Sequence, residues 1–158
     1  MLRIFLIAAL AIAAADPFAP LAVYNGTWSV HAQHPFAGGT GPDRLENHCT
    51  HGQAFFSCEQ IVNGKPAALV VFTISKEPGK YDVDNIRPNG YASSNTDLLI
   101  NGDHWTFITH ASAPGETRYR TENVFHGPDA IHFEQFQSTD DGKTWTQTNQ
   151  GDETRVQP

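Results

Sequence analysis

Polar and apolar residues alternate in short runs along most of the chain, and turn-forming residues separate the runs. Alternation with a period of two is typical of strands that bury one face, and beyond the N-terminal segment no stretch has the spacing of an amphipathic helix. The pattern predicts about ten strands. They cover 26–33, 43–50, 54–62, 67–75, 80–87, 93–100, 104–111, 117–125, 130–138 and 144–150.

Short turn sequences join these strands. Asn-Gly pairs at 63–64 and 101–102 favour tight hairpins, and Pro-Gly pairs at 78–79 and 114–115 reverse the chain. Because such short connections make each strand antiparallel to the one before it, we predict an all-β fold, an up-and-down meander that closes into a barrel. A two-sheet sandwich is the alternative, but sandwiches use long crossovers and the only long connection here is 34–42.

The N-terminal segment differs from the rest of the chain. Arg3 precedes an apolar run at 4–12, and three alanines follow at 13–15. This order is typical of a secretory signal peptide, so we expect cleavage after Ala15 and a single barrel domain at 16–158 that is secreted or periplasmic. A membrane anchor is the competing interpretation. It needs about 20 apolar residues, more than this run supplies, so no membrane insertion is expected after cleavage.

The charge balance limits the partners. The chain has 10 Lys and Arg residues against 17 Asp and Glu residues, a formal net charge of −7. A surface of this sign repels phosphate backbones and anionic lipids, so nucleic acids and membrane surfaces are not expected partners. A small-molecule ligand remains the candidate partner, and the oligomeric state is not determined by the sequence.

Cys49 and Cys58 are the two cysteines of the chain. In an exported protein we expect them to form a disulfide, because the compartment is oxidising. A zinc site is the alternative, since His48 and His51 flank Cys49 and could act as ligands with its thiolate. The second cysteine nearby favours the disulfide, and no metal site is expected.

Two features of the chain resemble a known fold family. Gly26-Thr27-Trp28 resembles the glycine-x-tryptophan signature of lipocalin-like (calycin) barrels, and Arg155 is placed like the arginine that packs on that tryptophan. The stretch 49–156 also resembles a group of exported bacterial proteins of unknown function in the same superfamily. The motifs are Cys-Glu-Gln-x-Val-Asn-Gly-Lys-Pro at 58–66, Arg-Thr-Glu-Asn-Val-Phe at 120–125, Ile-His-Phe-Glu at 131–134 and Gly-Asp-Glu-Thr-Arg-Val at 151–156. This resemblance implies a fold and no activity.

Residues 138–145 read Ser-Thr-Asp-Asp-Gly-Lys-Thr-Trp and are similar to the Asp-box hairpin of sialidases and other β proteins. In those proteins the box is structural. The resemblance implies that Asp140 bonds turn amides, that Gly142 belongs to the turn and that Trp145 packs on the hairpin. One copy in a chain of this length does not make a propeller.

The turn lengths allow the later strands to be paired. A two-residue turn at 101–102 and four-residue loops at 112–115 and 126–129 set the register. The resulting apolar face carries Leu98, Trp105, Phe107, Val124, Ile131 and Phe133. Toward one end the same face becomes polar, with Arg118, Arg120, Glu122, Gln135 and Gln137. The face predicted to meet solvent carries His104, Thr106, His110, Thr121, Asn123, His132 and Glu134.

An apolar interior that becomes polar at one end suits a small hydrophobic or amphipathic ligand. We therefore expect a non-catalytic binding barrel without a cofactor, in which Arg120 binds an anionic group of the ligand. The expected ligand-binding residues are Leu98, Trp105, Phe107, Arg118, Arg120, Glu122, Phe133 and Gln135. The alternative is that Arg120 and Glu122 neutralise each other at the rim of a filled barrel.

The sequence leaves two other functions open, an enzyme and a structural or interaction protein. His132 and Glu134 share a strand face, so a cell-envelope hydrolase or isomerase could use them, or the pair Arg120 and Glu122. No Ser-His-Asp pattern or phosphate-binding glycine loop accompanies them, and no catalytic residue is assigned. A structural or interaction protein that uses the outer sheet surface is the third function.

Overall fold

The computed structural model describes residues 15–157, which form ten strands after a short 3₁₀ helix at Ala19–Tyr24. Of the predicted signal peptide at 1–15, residues 1–14 lie outside the described residues. The strands are β1 Gly26–Ala32, β2 Asp43–His51, β3 Phe56–Val62, β4 Lys65–Ile74, β5 Lys80–Ile86, β6 Ala92–Asn101, β7 His104–Thr109, β8 Arg118–Phe125, β9 Ala130–Ser138 and β10 Thr146–Arg155. Between residues 15 and 157, no helix has the length and apolar character needed to cross a membrane.

The strands form one closed antiparallel barrel. Each strand pairs with its neighbour in the sequence, and β1 also pairs with β10, where Trp28 lies opposite Arg155. This closure confirms the predicted all-β meander and decides for a barrel over a sandwich. Closing the sheet leaves no unpaired edge strand, and it turns alternate residues of every strand inward.

One end of the barrel is closed by the N-terminal segment. Phe18 and Leu21, around the 3₁₀ helix, are almost fully buried under the barrel, and Trp28 is 0% exposed beside them. Arg155 lies over the Trp28 ring, with its guanidinium carbon 4.3 Å from the ring centroid. The same guanidinium donates to the carbonyl oxygens of Val23 and Asn25, each at 2.7 Å. Arg155 therefore joins the helix, β1 and β10 at this closed end.

The disulfide predicted between Cys49 and Cys58 is present, with a sulfur–sulfur distance of 2.04 Å. The two residues lie directly opposite each other on β2 and β3, so the bond joins adjacent strands. Cys49 is therefore not a zinc ligand.

The hairpin between β9 and β10 is held by side-chain bonds. Ser138 Oγ accepts from the amide of Gly142 at 2.9 Å and donates to Asp140 Oδ1 at 2.8 Å. Asp140 Oδ1 also accepts from the amide of Thr144 at 2.8 Å. The Thr144 hydroxyl donates to Asp140 Oδ2 at 2.6 Å, and this bond, with those from the Thr144 amide and Ser138, lowers the pKa of Asp140 to about 2. The hairpin lies at the open end of the barrel, opposite the 3₁₀ helix.

The register of β8 differs from the prediction. Phe107 lies opposite Thr121 and not Arg120, because the β7–β8 connection spans 110–117 and is longer than the four residues assumed. A slip of one residue turns every side chain of a strand to the other face. Residues of β8 predicted to face inward, among them Val124, therefore point outward, and Asn123 points inward.

Candidate ligand-binding cavity

The barrel encloses a cavity of about 1080 Å³ that extends from the middle of the barrel to its open end. Side chains of the closed end fill the floor, where the edges of Tyr24 and Trp105 pack with their ring centroids 5.4 Å apart. Above that floor the side chains leave the interior open. The volume is just above the range of about 300–1,000 Å³ that is typical of small-molecule sites.

Phenylalanines form a large share of the apolar wall, among them Phe72 on β4, Phe107 on β7 and Phe133 on β9. Phe72 and Phe133 are 3% and 2% exposed, and the ring centroids of Phe72 and Phe107 lie 6.5 Å apart. These rings lie on inward positions because the pleat of each strand alternates its side chains between the two faces. They form an aromatic surface inside the barrel.

Between the rings lie polar groups without protein partners. Asn85 Oδ1 on β5 and Asn123 Oδ1 on β8 are buried, line the cavity and accept no hydrogen bond from any group in residues 15–157. A buried carbonyl oxygen without a donor costs about 1–3 kcal/mol unless water or a ligand satisfies it. The wall therefore presents free hydrogen-bond acceptors to whatever occupies the cavity.

Glu153 is the acidic group deep in the cavity. It lies on β10 opposite Val30 of β1 and Ile131 of β9, two residues that are each 1% exposed, so its side chain points inward. Within the described part of the chain, no hydrogen bond or ion pair reaches its carboxyl group, and burial raises its pKa to about 7. Sequence reasoning missed this residue, because β10 was predicted to end at Gln150.

Tyr24 and Asn123 stand next to Glu153 at the cavity floor. Asn123 Nδ2 donates to Tyr24 Oη at 3.1 Å. Burial raises the pKa of the Tyr24 hydroxyl far above its ordinary value, and the nearby Glu153 carboxyl adds to the shift. The tyrosine is therefore a neutral hydroxyl with a proton to donate. The base of the aromatic cavity is therefore polar, with Glu153, Tyr24 and Asn123 side by side.

The mouth of the cavity is formed by the loops of the open end. The loop between β1 and β2 is fastened by Asn149, which exchanges two 3.0 Å hydrogen bonds with the backbone of His34. Asp43 accepts from the amide of Phe36 at 2.6 Å in the same loop. Phe36 reaches toward the cavity, with its ring centroid 5.8 Å from that of Phe133, yet remains 46% exposed. The mouth therefore has an aromatic rim.

Five of the residues expected to bind a ligand lie on the inner face. Phe107, Phe133 and Gln135 line the cavity. Leu98 and Trp105 are packed into the closed end, 0% and 5% exposed, below the open space. Phe133 and Gln135 were predicted to face inward, and they do, although the predicted pairings of β7 with β8 and of β8 with β9 were each wrong by one residue. The two errors cancel, so the orientation of β9 came out right.

Arg118, Arg120 and Glu122 lie on the outer face of β8, and their predicted inward position is wrong. The Arg120 guanidinium stacks over Phe136 and Trp145, with its carbon 4.6 Å and 4.7 Å from the two ring centroids. Its Nε is 3.0 Å from Glu122 Oε1. These three residues brace the outside of β8 and do not contact the cavity.

The histidine and glutamate considered for catalysis also lie outside the barrel. His132 Nδ1 is 2.8 Å from Asp152 Oδ1, and the His132 side chain is 38% exposed. Glu134 accepts from Gln147 at 3.2 Å on the same outer face. Among residues 15–157, no group of three or more His, Cys, Asp and Glu side chains could hold a metal ion.

No protein-family model matches this chain, and no curated protein matches it. Two solved structures share its architecture. Rv2717c from M. tuberculosis is 13% identical with a TM-score of 0.53, over 90% of this chain and 99% of that one. The S-type phycobiliprotein lyase CPES from Guillardia theta is 13% identical with a TM-score of 0.52, over 89% of this chain and 92% of that one. At this identity the likeness concerns the fold, a lipocalin-like barrel.

Proposed function

We propose that this barrel is a binding protein for a small amphipathic molecule, which it holds in the central cavity. The observation that carries the proposal is a cavity of about 1080 Å³ whose wall combines aromatic rings with unpartnered polar atoms. A barrel built only for stability would fill its interior, since protein cores pack as densely as organic crystals. An amphipathic guest would cover the rings and satisfy the free acceptors together.

One of the two structural neighbours carries the name of an activity. It is named as a phycobiliprotein lyase, an enzyme, whereas the present proposal is for binding alone. In this chain, the titratable groups suggested for catalysis lie on the outside of the barrel, away from the cavity. The cavity is thus the part of the fold with space for a small molecule.

We further propose that the protein is exported and works in the periplasm or outside the cell. The first segment of the sequence has the order of a signal peptide, and the disulfide between Cys49 and Cys58 fits an oxidising compartment. Asp16, the first residue after the proposed cut, already takes part in the fold: its Oδ1 accepts from the amide of Phe18 at 3.0 Å.

The binding proposal is tested with N-phenyl-1-naphthylamine, a neutral aromatic probe with one N–H donor. Thr109 lines the cavity on β7, whereas Thr106 on the same strand points outward. Thr109→Trp fills part of the cavity, and Thr106→Trp makes the same change outside it. We expect saturable binding of the probe to the wild type, measured by equilibrium dialysis, and a loss of about ten-fold or more in affinity for T109W only.

The two variants are compared only if both keep a cooperative thermal transition. Thr121→Trp, on the cavity side of β8, replaces T109W if that protein does not fold. Equal loss in T106W and in the inner variant, or no binding to the wild type, would contradict a cavity site.

A further inference from the structure

We infer that the cavity selects amphipathic organic cations, with the aromatic wall covering the apolar body and Glu153 holding the charged nitrogen. This inference rests on the proposed binding function and names its ligand class. It starts from the position of Glu153, which is an inward carboxyl on β10 with no positive partner among the described residues. A buried carboxyl normally has such a partner, because leaving water as an ion is costly.

The neighbours of Glu153 do not supply the missing charge. The residues opposite it on β1 and β9, Val30 and Ile131, do not titrate. From the 3₁₀ helix it meets the neutral hydroxyl of Tyr24. Asp43, which lies opposite Val30 on β2, is an acidic residue and accepts hydrogen bonds from the amide of Phe36 and from the side chain of Asn63.

Arg155 lies on β10 two residues from Glu153, but its guanidinium binds other groups. Its guanidinium donates to Val23, Asn25 and Pro128 carbonyl oxygens and pairs with Asp129 at 2.9 Å. It closes the bottom of the barrel and does not neutralise the cavity. A cation for Glu153 must therefore come from a bound molecule.

The rest of the wall has the same preference for a donor-rich cation. The two buried side-chain atoms of the wall that lack a partner, Asn85 Oδ1 and Asn123 Oδ1, are both acceptors. The rings of Phe72, Phe107 and Phe133 offer their negative faces, which attract ammonium groups. The formal net charge of −7 also draws cations and repels anions at a distance. An anionic ligand, as expected from Arg120, finds no positive side chain at the cavity floor among residues 15–157, and Arg87 lies at the mouth.

Binding of a cation releases a proton from the protein at mildly acidic pH. Where the free carboxyl of Glu153 is protonated, an ammonium ligand displaces that proton to solvent and pairs with the carboxylate. Affinity for a cation should therefore rise with pH through the titration of Glu153 and level off above it. Arg87, His110 and Glu116 are the charged or imidazole groups that line the mouth, together with the phenols of Tyr91 and Tyr119. Of these residue types, histidine ordinarily titrates between pH 5 and 8.

The test compares two probes that differ in one end group, dansylcadaverine with a terminal ammonium and N-pentyl dansylamide with a terminal methyl. At pH 8 we expect the wild type to bind the ammonium probe about ten-fold or more tightly than the methyl probe, by equilibrium dialysis. Glu153→Gln keeps the shape and removes the charge, so it should lose this preference and keep its affinity for the methyl probe. The preference should also disappear in the wild type at pH 5. His110→Gln should keep the preference at pH 8 and lose it at pH 5 like the wild type, which excludes the histidine at the mouth as the cause.

The outcomes separate the two proposals. If the methyl probe binds in the cavity but the ammonium probe gains nothing, or if E153Q keeps the gain, the cation inference is wrong and the binding barrel stands. If neither probe binds to the wild type, the binding function falls with it. The comparison at two pH values needs no mutant, so the inference can be overturned even if E153Q does not fold.

Discussion

At the scale of single residues, Glu153 makes the stability of the barrel depend on pH. Burial raises its pKa from 4.5 to about 7, so between these values the folded protein keeps a proton that the unfolded chain has lost. Stability contributed by the protonated carboxyl is therefore full below about pH 4.5 and falls as the pH rises to about 7. The shift corresponds to a loss of about 3 kcal/mol across that interval.

Glu153→Gln should abolish this loss, because glutamine stays neutral. We expect E153Q to be more stable than the wild type at pH 8 and close to it at pH 4.5, measured by urea unfolding at both values. Glu122→Gln, which removes the same charge from the outer face of the barrel, is the matched control. Parallel pH profiles for E153Q and the wild type would show that the Glu153 carboxyl is solvated in the folded state.

The sequence did not reveal Glu153, for a local reason. Gly151 and the acidic pair after it are typical of a strand end, so β10 was predicted to stop at Gln150. In the barrel, Gly151 is needed inside the strand, because a Cβ there would collide with the backbone of His31 on β1. A glycine required by close strand contact has the same sequence signal as a glycine that ends a strand. The contact is visible only when β1 and β10 are brought together.

At the scale of elements, the strands were predicted well and their registers less well. β9 was predicted with the bounds it has, and most other strands within two residues. The orientation of β8 was wrong, because it depends on the length of the loop 110–117 that was assumed shorter. Strand existence follows from local alternation, whereas register follows from turn geometry and from packing across the sheet. Arg120 was placed inside for this reason.

The closed end offers a prediction about how the elements are joined. Arg155→Lys keeps a positive charge but loses the planar fork that bonds Val23, Asn25 and Pro128 and stacks on Trp28. Since several hydrogen bonds of about 1 kcal/mol each are removed, we expect a loss of about 2–4 kcal/mol in unfolding free energy.

Urea unfolding at neutral pH measures the effect of R155K. Arg87→Lys is the control, because Arg87 is exposed at the mouth and contacts a ring, that of Tyr91, at 5.6 Å. We expect R87K to stay within about 0.5 kcal/mol of the wild type. A loss in R155K no larger than in R87K would mean that the 3₁₀ helix and β1 are held without the guanidinium.

At the scale of the whole molecule, topology was readable and the cavity was not. Ten strands with short connections have few antiparallel solutions, and the pairing of β1 with β10 is the simplest closure. The space inside depends on which side chains meet across the barrel. Phe107 and Phe133 were placed on the inner face, but whether they fill it or line a void depends on the barrel diameter and on residues such as Asn85, which no sequence pattern distinguishes from a solvent-facing amide.

Export and disulfide formation can be checked together on the whole chain. If residues 1–15 are an export signal, a bacterial host that makes the full chain should deliver to its periplasm a protein that begins at Asp16, with Cys49 and Cys58 joined. Intact mass spectrometry of the periplasmic and cytoplasmic fractions, with and without reduction, measures both features. A chain that starts with Met1 and lacks 2–15 should stay in the cytoplasm with both thiols reduced.

Recovery of the uncut full chain from the cytoplasm would contradict the signal, whereas a cut periplasmic chain with free thiols would contradict the disulfide alone. The two proposals are separable because the cut depends on the N-terminal segment and the bond depends on β2 and β3, which place the two cysteines directly opposite each other.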